Sequence, residues 1–115
     1  MRGIAVTTIG ILMTMCAATA HADVVTDWNQ IAIDMLKAAN IAVNPWSRSM
    51  AMVHVAMSDS INTVQGRYAS YTAKLPAAPN ASAEAAAVSA ARHILIQLVP
   101  AQRAKIGRAS CRERV

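Results

Sequence analysis

Apolar positions recur at helical spacing in three stretches of the chain. Trp28, Ile31, Ala32, Met35, Leu36 and Ala39 fall on one face, with Asn29, Asp34 and Lys37 largely off it, which predicts a helix over about 25–42. Asp23, Thr26 or Asp27 is placed to cap its start, and Asn44-Pro45 to stop it. A second helix is predicted over 47–65, where Met50, Val53, Met57, Ile61 and Val64 form a stripe widened by Met52, Val55 and Ala56. So wide an apolar face predicts burial on several sides, and Gly66 supplies the C-terminal stop. The third helix is predicted over 81–99, with Ala85, Val88, Ala91, Leu95 and Leu98 inward and Asn80 or Ser82 as the cap. Between the second and third lies an irregular loop from Arg67 to Pro79. Pro100 to Arg103 reads as the first turn of a further helix.

Composition supports an all-α fold. Apolar residues make up 55% of the 115 and aromatics only 3%, so the supply of strand formers is thin. Charged residues, at 15%, are too few for a disordered tail. The net charge of +5 is concentrated at the ends: residues 23–105 hold seven Lys/Arg against five Asp/Glu. No basic stripe with interleaved aromatics runs through the middle, so no nucleic-acid partner is expected.

The two ends read differently from the middle. Met1-Arg2, the apolar run Ile4 to Cys16 and the Ala20-His21-Ala22 cleavage site make residues 1–22 a signal peptide. The run is too short to span a bilayer. The mature chain is therefore expected to be secreted or periplasmic, without a stable membrane anchor after cleavage. Residues 106–115 break from the alanine-rich pattern and have no apolar period. They match, in frame and at every position, the translation of a common sequencing adapter. This decapeptide is expected to be a non-native tail outside the fold, with Cys111 in it, and the natural chain to have been cut near Lys105. Residues 23–105 are then a truncated helical segment, part of a larger bundle whose missing C-terminal helices are its partners.

Candidate chemistry is sparse. Met50, His54 and Met57 stand at i, i+4 and i+7, and two thioethers with an imidazole are soft ligands for Cu(I). The competing reading is that the methionines fill a core and His54 hydrogen-bonds within it. His93 beside Arg92 lacks an evident carboxylate or nucleophile partner. Asp59, mid-helix between Ser58 and Ser60, is expected to satisfy a backbone or arginine group inside the bundle. Asn80-Ala81-Ser82 is formally a glycosylation sequon, although the same residues explain a helix cap. The chain has no phosphate loop, CxxC, HExxH or nucleophile elbow.

Asp27-Trp28-Asn29, then Ser47-Arg48-Ser49-Met50-Ala51-Met52-Val53-His54-Val55-Ala56-Met57-Ser58-Asp59-Ser60-Ile61-Asn62, then Ala81 to Ala87 and Leu98-Val99-Pro100 follow in that order. This succession resembles the N-terminal part of secreted vanadium-dependent haloperoxidase-like proteins, of the superfamily shared with type 2 phosphatidic acid phosphatases. The resemblance covers about residues 24–105. It implies an all-α bundle, and an active site of lysine, arginines, a Ser-Gly-His segment and a final histidine lying further along the chain. In the parent, that site would hold vanadate to oxidise halide with peroxide, or would hydrolyse a phosphoester. No Ser-Gly-His occurs here, and no such array maps onto Lys74, Arg92 or Arg103. No catalytic or cofactor-binding residue is carried over, so the chain itself is expected to be an inactive scaffold. The alternative from another class is a small periplasmic helical binding module, with Met50, His54 and Met57 as its Cu(I) face.

Overall fold

A computed structural model describes residues 23–72, 75–77 and 79–112. Among them are four α-helices: α1 (Val24–Ala38), α2 (Val43–Gln65), α3 (Ala83–Leu98) and α4 (Arg103–Arg112). A short 3-10 turn, Pro100–Gln102, joins α3 to α4. The all-helical expectation holds, with one helix more than the three predicted. The expected signal peptide lies outside the described residues. None of the described helices is long and apolar enough to cross a membrane.

Helix α1 stops earlier than predicted, and for a different reason. Ile41 N–H donates to the Leu36 carbonyl at 3.3 Å and Asn40 N–H to the Lys37 carbonyl at 2.9 Å. This pair of bonds is the Schellman closure, and it needs a left-handed residue, supplied by Asn40 at φ 53°. Ile41 then folds back onto the core. Asn44-Pro45, expected as the stop, lies instead in the first turn of α2. A proline there loses no bond, because first-turn amides have no partner inside the helix. At the other end of α2, Gly66 adopts φ 65° and donates to the Asn62 carbonyl. An added Cβ at Gly66 would meet nothing, so a Gly66→Ala change would be resisted only by the backbone conformation.

Helix α3 begins at Ala83, with the Ser82 hydroxyl accepting from Ala85 N–H at 3.2 Å. Glu84 sits in the first turn, at the positive end of the helix dipole, and accepts from the Ser82 hydroxyl at 2.7 Å. That bond, with a smaller one from its own N–H, lowers the Glu84 pKa.

The core is drawn from all four helices: Trp28, Ala32 and Leu36 from α1, Met50, Val53 and Met57 from α2, Ala87, Ala91, Leu95 and Ile96 from α3, and Ile106 from α4. Helix α3 is the spine, touching α1, α2 and α4, with its longest contact along α2. The predicted inward face of α1 is correct. On α3 the face is rotated: Ala87 and Ile96 are buried, while Ala85 is exposed and Val88 and Leu98 are half-buried. Burial of α2 on several sides is not observed. Met52 is exposed, and Val55, Ala56, Ile61 and Val64 are half-buried.

Residues 106–112 correct the expectation that 106–115 stands outside the fold. Ile106 and Ser110, four apart, are both buried and turn α4 onto α3 and α1. The Ser110 hydroxyl donates to the Gly107 carbonyl at 2.9 Å, so the one polar group on that face is satisfied. Two positions suffice to orient a ten-residue helix, too few to read as a period. Residues 113–115 lie outside the described residues.

Candidate functional site

The best-formed polar constellation joins α2 to the loop behind it. Asp59 and Asn62 stand three apart, which puts them on one helix face, and both are buried. Asn62 closes a two-point bridge: Tyr68 N–H donates to its Oδ1 at 2.7 Å, and its Nδ2 donates to the Tyr68 carbonyl at 2.6 Å. Asp59 takes three bonds, from Tyr71 N–H at 2.8 Å, Thr72 N–H at 2.8 Å and the Thr72 hydroxyl at 2.7 Å. Gly66 makes the geometry possible, because its left-handed turn reverses the chain so that residues 67–72 run back past the helix. The partner expected of Asp59 is thus the backbone rather than an arginine.

These donors lower the Asp59 pKa, the Thr72 hydroxyl most and the Tyr71 N–H next, with partial desolvation opposing them. A carboxyl held below its ordinary value of 3.8 favours the closed loop above that pH and loses its effect as pH falls through the lowered value. The loop should therefore stay closed from neutral pH down to about 4 and open only below it. Tyr71 and Thr72 amide shifts should titrate together, with a midpoint under the ordinary aspartate value. A midpoint at or above it would contradict the clasp. Asp59→Ala should speed tryptic cleavage after Arg67 about tenfold, since loop opening sets the rate.

The Met50, His54, Met57 set is divided between two environments. Met50 and Met57 belong to the core, whereas His54 is exposed and its Nε2 lies 2.9 Å from Asn29 Oδ1, linking α2 to α1. Binding Cu(I) through all three would require drawing two methionines out of packed positions and breaking the Asn29 bond. Titration with Cu(I) should leave helicity and unfolding midpoint unchanged, whereas a saturable rise in either would establish the ion site. Among the described residues no three His, Cys, Asp or Glu side chains converge as a metal group.

The remaining candidates are scattered. His93 and Arg92 are exposed on α3, and Arg48 is exposed on α2. Ser82 of the sequon is the α3 cap, and Asn80 is exposed in the preceding turn at φ 59°. Cys111 is a free, exposed thiol on α4.

A vanadate or phosphate site needs converging cations and a histidine. One cleft is lined by three cations, Lys105, Arg108 and Arg112, with Ile31 and Ala109; it contains no histidine and lies mostly within the adapter-like stretch. That cleft does not fit an oxyanion cofactor.

Sequence reading found Asp59 but not its pairing with Asn62. The available signal was a pair of amide- or carboxyl-bearing residues, three apart on the buried face, just ahead of a helix-ending glycine. Compared with known protein families, curated proteins and solved structures, the chain has no match.

Proposed function

We propose that residues 23–105 are the N-terminal helical scaffold of a secreted, vanadium-dependent haloperoxidase-like protein, separated from the part that carries its chemistry. The observation that supports this reading is the use made of the polar residues in the Arg48 to Asn62 helix. His54 is tied to Asn29, Asp59 to the loop backbone, and Asn62 to both sides of Tyr68. All three are engaged in holding helices and loop in place, and none faces an open acid–base or nucleophile partner. A stretch whose polar residues do this is architectural. The parent supplies an oxidoreductase or a phosphatase activity from residues beyond those present here.

Resequencing the source gene across codon 105 tests the proposal. The expected result is an open frame continuing past Lys105 into a region with Ser-Gly-His and a downstream histidine. The protein it encodes should oxidise bromide with peroxide after vanadate loading, or hydrolyse a phosphoester without it. A genomic stop after codon 115, with the decapeptide confirmed in the gene, would overturn the proposal and leave the small binding module in its place.

A further inference from the structure

We draw no further inference here: the strongest candidate, the ≈ 580 Å³ cleft between α1, α3 and α4 lined by Glu84, Arg92 and Ser110, carries none, because both charged groups are exposed, Glu84 is already bonded to the Ser82 hydroxyl, and nothing in the structure shows what occupies it.

Discussion

Trp28→Ala should cost about 3–5 kcal/mol of unfolding free energy, comparable with the whole margin of a chain this short. Trp28 is the largest fully buried side chain, at 0% exposure, and belongs to the core cluster that α1, α2, α3 and α4 share. Its deletion removes the transfer energy of an indole and leaves a hole that rigid neighbouring helices fill only in part. Trp28 also carries a liability, because its Nε1 is buried without a hydrogen-bond partner. Such an orphan donor costs about 1–3 kcal/mol, so Trp28→Phe, which removes it along with some volume, should be far milder than the alanine change. Urea unfolding of the three proteins followed by circular dichroism measures both effects. If phenylalanine proves as damaging as alanine, the indole N–H has a partner, such as a buried water, and the orphan assignment is wrong.

Trp28 also shows how far the sequence alone could be read. The α1 face was legible because Trp28, Ala32 and Leu36 repeat at a clean four-residue interval against polar neighbours. The end of α1 was not, because a proline is a louder signal than an asparagine. Asn40 stops the helix by adopting a left-handed turn, while Pro45 sits without penalty where a helix begins. On α3 the face was misjudged because alanine carries almost no orientation signal: in the run Ala83 to Ala91, Ala85 is exposed and Ala87 fully buried. The start of a fourth helix is legible at Pro100, but its run through 106–112 is not, because Ile106 and Ser110 alone orient it. The candidate site was half legible. Asp59 is conspicuous as a carboxylate in an apolar stripe, but its partners lie 12 and 13 residues away, on backbone groups that no residue pattern marks. That Met50 and Met57 fill the core is one of the two readings the sequence offers; the exposure of His54 and its Asn29 partner are not legible, since a residue interval places side chains around a helix without saying where its neighbours stand.

The α2–α3 seam carries the second large expected effect. Ala91 is fully buried on the helix that every other helix touches. Ala91→Leu would add three carbons where there is no room, so it should destabilise the chain by about 1–3 kcal/mol through overpacking. Ala90, one residue away, is half-buried and lines the open groove with Ala56 and Ile94. Ala90→Leu places the same carbons over that groove, where they fill space instead of displacing neighbours, and the change should stay within about 0.5 kcal/mol. The contrast between adjacent positions is the measurement, since helix propensity and added area are nearly the same for both. Equal destabilisation would mean that the groove is closed in the folded chain.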